Sequence, residues 1–548
     1  MSEVAEKLQQ VARDAFGWAE LRPDQLAAME HTMAGRDVLV VLPTGAGKSA
    51  IYQVPALVVP GPTLVVSPLL ALQQDQLEGI DDANAPEAVA VNSAQRSSER
   101  RRAWEAVGTG AAEYIFLSPE QLAKDEVVNR LVQAEVGLFV IDEAHCVSAW
   151  GHDFRPDYLR LGQVIERLGH PPVIALTATA ALPVRRDIVD RLGLRDHGEV
   201  IASFDRPELR LSVEHHSDDQ RKREAVVLHV RALLAEPGSR LGLVYTASRK
   251  DAESFAGQLG LAGVRAAAYH AGMRRADREQ VHEDFLEDRL DVVVATSAFG
   301  MGIDKPDVRF VAHASAPESL DSYCQQIGRA GRDGDPAQIT LFYRPEDLNL
   351  QRFLTARGAP ERALVEVSKV LAETDEPVRP ADLGQRTTVS AAQRTRAVNL
   401  LEQAGTVLTD DHGRLAWVDD SVSPRRAVRR ALEVAATHEQ LTRSRIEMMR
   451  GYAETTGCRR QFLLGYFGEQ LVEPCGNCDT CEDGTAQANP ATDSAYAVNT
   501  EVSHEEWGRG IVMSSEEDRL TVLFEEVGYK TLALAAVQER QLLRQIGE

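Results

Sequence analysis

Residues 37–49 read DVLVVLPTGAGKS, and the fold follows from how this run is built. A β-branched apolar stretch ends in a glycine-bearing loop that opens directly into the next helical segment, the order in which a parallel strand feeds a phosphate-binding loop. The glycines let backbone N–H groups wrap a triphosphate, Lys48 reaches its β and γ phosphates, and Ser49 is placed to ligate Mg²⁺. Thr44, Gly45 and Gly47 complete the candidate nucleotide cradle. Leu42 stands where the full Walker pattern has its first glycine, so the loop is a variant of that pattern.

Working outward, TLVVSP, YIFLSP, LFVIDEAH and PPVIALTAT repeat the apolar run ending in a turn or polar group. The rhythm restarts after residue 238 with SRLGLVYTAS, VRAAAYHAG, LDVVVATSAFG and VRFVAHAS. Strands alternating with helix-period segments predict α/β architecture, here two tandem parallel-sheet domains joined near residues 203–214. A chain of 548 residues exceeds one ordinary core and is expected from its length to hold three to four domains.

Composition narrows the class: 44% hydrophobic and 26% charged residues suit a globular protein rather than a disordered one. The most apolar stretch is broken by Pro43, Lys48 and Pro55, which excludes it as a membrane span. MSEVAEKLQQ lacks the basic-then-apolar order of a secretory leader, so a cytoplasmic, nucleoid-associated location is expected. A net charge of −23 argues against a polyanionic partner, but the charge is uneven. Residues 421–460 carry nine Arg against four Glu, whereas residues 482–548 carry thirteen acids against five bases.

The strand ending in Asp142 and Glu143 supplies what a phosphate loop needs: a carboxylate for the Mg²⁺ shell and one to orient or deprotonate the attacking water. An acidic strand end can equally cap the next helix, but here a phosphate loop lies upstream in the same domain. QQIGRAGRDG places Arg329 and Arg332 three residues apart, a spacing that on a helix projects both guanidinium groups from one face as candidate arginine fingers. Cys475, Cys478 and Cys481, with Cys458 seventeen residues earlier, provide four thiolates for a tetrahedral site. Four cysteines without a histidine or an open position point to a structural Zn²⁺. Residues 361–418 read as three helices and a hairpin turning at Asp411 to Gly413, the order of a winged helix, which serves DNA or protein contact. The segments WGRGIVM, RLTVLFEE and YKTLAL predict a small C-terminal β unit.

The phosphate loop resembles that of superfamily-two helicases, and AHCVSAWGHDFRPDY (144–158) makes the resemblance specific to RecQ-type ATP-dependent DNA helicases. In that family this aromatic-rich loop couples single-stranded DNA to ATP hydrolysis, which implies that Trp150, His152, Phe154 and Arg155 meet bases and phosphate. FGWAELRPDQ is similar to the family's adenine motif, implying that Trp18 and Arg22 sandwich the ring and Gln25 reads its edge; Trp18 replaces a more usual Tyr. SPLLALQQDQ, LTATA and VATSAFGMGIDKPDV extend the match over about residues 10–350. The cysteine spacing also looks like the RecQ zinc subdomain. The resemblance implies 3′ to 5′ travel on DNA, with ATP, Mg²⁺ and Zn²⁺ as cofactors, tailed or forked duplexes as substrates, and a role in repair or recombination.

The order of parts departs from the family pattern, because the winged-helix-like segment precedes the cysteines. The C-terminal segment resembles the Tudor-like β-barrel of UvrD-type helicases, which implies a protein partner such as RNA polymerase; its acid excess disfavours DNA. The expected units are motor domains 1–205 and 206–350, a winged-helix-like domain 351–420, a helical zinc module 421–483, a linker 484–500 and a β domain 501–548. Two other readings remain open at this point: an RNA helicase or remodeller, and a zinc-dependent DNA-binding or polymerase-associated protein with a vestigial ATPase.

Overall fold

A computed structural model describes residues 2–68, 70–81, 83, 85–92, 95–148, 154–236, 241–299, 305–355, 358–374, 376–410, 413–418, 421–486, 496–516 and 518–546. Trp150, His152 and Asp411 lie outside the described residues. Among the described residues no helix is long and apolar enough to cross a membrane.

Seven strands form the first sheet: β1 (Val38–Val41), β2 (Thr63–Val66), β3 (Glu87–Val91), β4 (Ala112–Leu117), β5 (Leu138–Ile141), β6 (Val173–Thr177) and β7 (Gly198–Ile201). Their order is β3-β4-β2-β5-β6-β1-β7, with every pairing parallel. Alternate side chains of a strand face opposite sides, so each central strand feeds two apolar layers. Leu39 and Val41 join Leu64, Ile115, Phe139 and Ala175 in one layer, while Val38 and Val40 join Val65, Phe116, Val140 and Ile174 in the other. Both layers must be covered by helices, which leaves only the strand ends open for chemistry. The C-terminal ends of β1, β5 and β6 therefore present the phosphate loop, Asp142 and Thr177 along one edge.

The second sheet comprises β8 (Leu209–His215), β9 (Gly242–Tyr245), β10 (Ala266–Tyr269), β11 (Val292–Ala295), β12 (Phe310–His313) and β13 (Ala337–Tyr343), in the order β10-β11-β9-β12-β13-β8. It too is wholly parallel. Gly242 pairs with Phe310, and a Cβ at Gly242 would stand 2.0 Å from the Phe310 ring, so the absent side chain is what lets the aromatic lie across β9.

Helices Glu361–Ala372, Pro380–Arg386 and Ala391–Gln403 are followed by the hairpin of β14 (Val407–Thr409) and β15 (Leu415–Trp417), and Val378 bridges to Leu415 to add a third edge. This is the expected winged-helix-like order. The next helix, Pro424–Glu454, starts at the N-cap Ser423 with Pro at its first turn. Its two halves enter different cores. Ala427, Val428 and Ala431 pack with Leu364, Val367 and Leu401, whereas Ile446, Met449, Tyr452 and Ala453 pack with Tyr323 and Tyr343 of the second motor domain. The Tyr452 and Tyr323 hydroxyls lie 3.0 Å apart, and Tyr343 donates to Glu454 at 2.7 Å.

At the C-terminus, β16 (Glu501–His504), β17 (Gly508–Ser515), β18 (Arg519–Phe524), β19 (Gly528–Ala533) and β20 (Leu543–Gln545) form an antiparallel sheet in the order β19-β18-β17-β16-β20. Val502, Val512, Val522 and Phe524 fill a small core of its own. Ile511, Met513, Leu523 and Tyr529 face outward into the large core shared by the second motor domain and the cysteine region. Tyr529 stacks on Tyr466 with ring centroids 4.7 Å apart, and the Tyr466 hydroxyl donates to Asp321 at 2.5 Å.

Candidate functional site

The phosphate loop leaves β1 through Leu42 and Pro43. Gly45 and Gly47 take φ of +83° and +72°, a left-handed conformation that costs glycine little and tips successive backbone N–H groups inward. Space also excludes larger residues. A Cβ at Gly47 would lie 2.6 Å from the Gln25 amide nitrogen, and one at Gly45 would lie 3.0 Å from Cγ of Arg332. Arg332 belongs to the second motor domain, so its side chain crosses the cleft and covers the loop of the first.

Lys48 donates to the Leu42 carbonyl at 3.2 Å. Burial lowers its pKa, and Arg332 and Arg329 push the same way against the pull of Glu143 and Asp142. Asp142 is pushed up to about 7, first by burial and then by Glu143, with Lys48 opposing. Lys48, the two carboxylates and the two arginines thus occupy one electrostatic neighbourhood. Glu143 sits at φ +50° and is 8% exposed, with its carboxylate 3.3 Å from Nδ1 of His145. The same Nδ1 is 3.0 Å from the Thr177 hydroxyl, which donates to the Thr179 carbonyl. The end of β5 is therefore wired to the end of β6.

The two arginines are not on a helix, contrary to expectation. The helix Leu320–Ile327 ends at Gly328, and Gly331 takes φ +61°, so Arg329 and Arg332 ride on the turn that follows. Arg206, in the connection between the motor domains, donates to the carbonyls of Ala330 at 2.9 Å and Gly331 at 3.2 Å, stabilising the turn over a continued helix. The arginines consequently diverge. Arg332 covers Gly45, while Arg329, only 3% exposed, lies beside the buried Tyr245 phenol. Arg206 went unnoticed in the sequence, since nothing local marks an arginine whose acceptors lie more than a hundred residues away.

In the adenine motif, Trp18 is partly exposed and stacks on Phe16 at 4.6 Å, and Arg22 is exposed. Gln25 is turned toward the phosphate loop: its amide nitrogen donates to the carbonyls of Ala46 at 3.1 Å and Gly47 at 2.9 Å, and its oxygen accepts from the Arg22 N–H. Of the four residues expected to meet DNA, Phe154 and Arg155 are described. Phe154 meets His438 with centroids 5.7 Å apart, and Arg155 donates to the Pro68 carbonyl at 3.1 Å.

The four cysteines come together as expected. Their sulfurs all lie within 4.8 Å of one another, Cys475 and Cys481 being 3.9 Å apart. Tetrahedral Zn²⁺ with bonds of about 2.3 Å requires edges near 3.8 Å, so the donor set fits a structural zinc. The module is fastened to the second motor domain and to the hinge. Asp479 accepts from Arg459 at 2.5 Å and from the Val213 N–H at 2.8 Å, and Leu211 bridges to Cys478. Across the hinge, Arg460 binds Asp205 at 3.1 Å and the Leu209 carbonyl at 2.7 Å. Glu469 accepts from Ser203 and from the Phe204 N–H, while Phe204 stacks on Phe467 at 4.5 Å.

Three family matches cover the described machinery: DEAD/DEAH box helicase over residues 22–188, helicase conserved C-terminal domain over 224–334 and RecQ zinc-binding over 418–482. Residues 500–540 match a family described as a protein of unknown function. The chain is 35% identical to RecS of Bacillus subtilis strain 168, described as a probable ATP-dependent DNA helicase, over 87% of this chain and 91% of that one. It is 35% identical to the ATP-dependent DNA helicase RecQ of Haemophilus influenzae over 89% of this chain and 66% of that one, and 33% identical to RecQ of Bacillus subtilis over 88% and 68%. Among solved structures, helicase Lhr of Mycobacterium smegmatis, bound to single-stranded DNA and AMP-PNP, aligns with a TM-score of 0.51 and 25% identity over 78% of this chain and 61% of that one.

Proposed function

The chain belongs to the RecQ family of ATP-dependent DNA helicases, and on that premise we propose how its residues divide the work. The units are those read from the sequence: two motor domains to residue 350, a winged-helix-like domain to 420, a zinc module to 483, a linker and a C-terminal β domain. ATP lies between the motor domains. Lys48 and the loop amides of Thr44 to Ser49 hold its phosphates, Glu143 orients the attacking water, and Arg332 meets the γ phosphate from across the cleft. Arg329 acts on the same charge from the Tyr245 side. Ser49 and Asp142 would hold Mg²⁺, which would neutralise phosphate charge; the Asp142 carboxyl, pushed up to about 7 by burial and by Glu143 beside it, suits a small hard cation.

One observation carries this reading: a side chain from one motor domain covers the phosphate loop of the other, so hydrolysis and domain closure are one event. Trp18 and Arg22 flank the adenine, and Gln25 leaves the loop carbonyls to read its edge when ATP enters. Trp150, His152, Phe154 and Arg155 touch single-stranded DNA, whose path runs 3′ to 5′ relative to the motor. Tailed and forked duplexes are the substrates, in repair or recombination, and the enzyme works in the cytoplasm on the nucleoid. For the C-terminal β domain, the stacking of its Tyr529 on this chain's own Tyr466, itself bonded to Asp321, favours an internal brace; the matches lend no support to an RNA polymerase partner.

ATP turnover measured with single-stranded DNA or RNA of one sequence tests the assignment. DNA is expected to stimulate strongly and RNA weakly, and Trp150→Ala is expected to lose about 1–3 kcal/mol of stacking and most of the stimulation. Preference for RNA, or undiminished stimulation in Trp150→Ala, contradicts it.

A further inference from the structure

The strip that leaves the aromatic-rich loop, Phe154–Arg160, touches four parts of the molecule in seven residues. Tyr158 is fully buried and donates to the Asp142 carbonyl at 3.1 Å, on the carboxylate strand itself. Arg155 receives its register from the Cys146 carbonyl at 2.9 Å and holds Pro68 beyond β2. The remaining contacts go to the inserted unit and the helix it is built on. Arg160 donates through one Nη2 to the Thr409 hydroxyl at 2.8 Å and to Glu402 at 3.2 Å, while Thr409 also donates to Glu402. Phe154 lies against His438 of the helix Pro424–Glu454. The hairpin also comes close to the first motor domain, since a Cβ at Gly413 would lie 3.6 Å from the Ala123 carbonyl.

Glu402 is an informative choice of residue. It occupies the last turn of the helix Ala391–Gln403, where the helix dipole disfavours an acid. It is also largely buried, with its side chain 18% exposed, so its charge needs a partner. That partner is Arg160 of the first motor domain. The wing and the end of this helix, surfaces through which a winged helix could meet DNA, are turned instead onto the motor. The path from the inserted unit to the carboxylate strand is short: Glu402 and Thr409 to Arg160, two residues to Tyr158, one hydrogen bond to Asp142.

We propose that the winged-helix-like unit is a positioning element for the DNA-sensing loop: Glu402, Thr409 and His438 hold Phe154–Arg160 where bound single-stranded DNA accelerates ATP hydrolysis. The proposal rests on the reading that residues 150–155 meet DNA. Glu402, Thr409 and His438 touch neither nucleotide nor DNA in this scheme; they act through Arg160 and Phe154. Loss of the clamp therefore lowers the maximal stimulation of turnover by DNA and leaves DNA-independent turnover and the DNA concentration for half-maximal stimulation unchanged.

A charge-swap cycle in the full chain tests it. Glu402→Arg and Arg160→Glu, made singly, each set like charges against each other and are expected to cut maximal stimulation about fivefold or more, the lower end of ordinary coupling between sites. The two together restore the pair and most of the stimulation. Thr409→Val, which removes the hydroxyl's two hydrogen bonds at nearly constant volume but keeps the Arg160–Glu402 ion pair, gives a smaller fall in the same direction. Unchanged stimulation in the single variants, a folded double variant no better than the singles, or a raised half-maximal DNA concentration overturns the clamp, the last making the unit a DNA-binding surface. Trp150→Ala separates the layers of the argument. Stimulation lost there but intact in Glu402→Arg overturns the clamp alone, and stimulation retained in Trp150→Ala overturns the loop reading and the clamp with it.

Discussion

Arg332→Ala is expected to lower ATP turnover about a thousandfold, the lower end of what an arginine contributed across a phosphoryl-transfer site supplies. The magnitude follows from position. Arg332 covers Gly45 closely enough that a methyl group there would touch it, and it acts on the partly buried Lys48 from the opposite motor domain. Charge that builds on the γ-phosphoryl oxygens during hydrolysis meets it in the cleft between the motor domains, where a preplaced guanidinium is worth more than at an open surface. Single-stranded DNA binding should survive the change. Arg332→Lys should not rescue, because an ammonium lacks the planar fork that spans two oxygens. Steady-state turnover with saturating DNA checks this, and an Arg332→Ala enzyme within a few-fold of wild type would remove the cross-cleft arginine from the chemistry.

Cys478→Ser is expected to unfold the zinc module and, with it, to disable the motor. Apparent zinc binding in structural sites is about 10–16 kcal/mol, as large as the whole stability of an ordinary domain, so a ligand lost is a fold lost. From the sequence alone, that loss reads as local, with ATP hydrolysis spared any direct effect. The geometry adds a route. Arg460, Phe467 and Glu469 grip residues 203–209, the connection between the motor domains, and Arg206 in the same connection holds the turn that carries Arg329 and Arg332. Once the module melts, the connection loses its grip and the arginines lose their placement. In Cys478→Ser, metal content and DNA-stimulated turnover should fall together while protease sensitivity after residue 455 rises. A zinc-free variant with normal turnover would show that the hinge does not depend on the module.

The parts legible in the sequence are those fixed by local rules. The phosphate loop is written in Gly45, Gly47, Lys48 and Ser49 because the loop's own backbone makes the site, and four cysteines make a metal site wherever the chain brings them together. The winged-helix-like order was equally plain from helix period and turn residues. Edge strands were harder. β3 (EAVAV) and β7 (GEVI) carry exposed or small residues because a neighbour strand pairs with them on one side only, and β8 (LRLSVEH) has the zinc module rather than a strand on its outer edge, so no continuous apolar run marks them. β13 (AQITLFY) does have the composition of a buried strand and needed no tertiary information. Arg329 and Arg332 illustrate a different limit: their three-residue spacing fits a helix, and only the distant Arg206 stabilises the turn instead. The division of the helix Pro424–Glu454 between two cores is invisible for the same reason, since both halves show one continuous helical period.

The central claim, that two motor domains closing on ATP drive this chain along DNA, is tested most directly by strand displacement. Duplexes bearing a 3′ tail, a 5′ tail or no tail are incubated with the enzyme, ATP and Mg²⁺, and release of the paired strand is followed. The account predicts ATP-dependent release from the 3′-tailed duplex, little from the blunt or 5′-tailed ones, and none with Arg332→Ala. Release from the 5′-tailed duplex alone, or none from any duplex while DNA still stimulates ATP turnover, would contradict it.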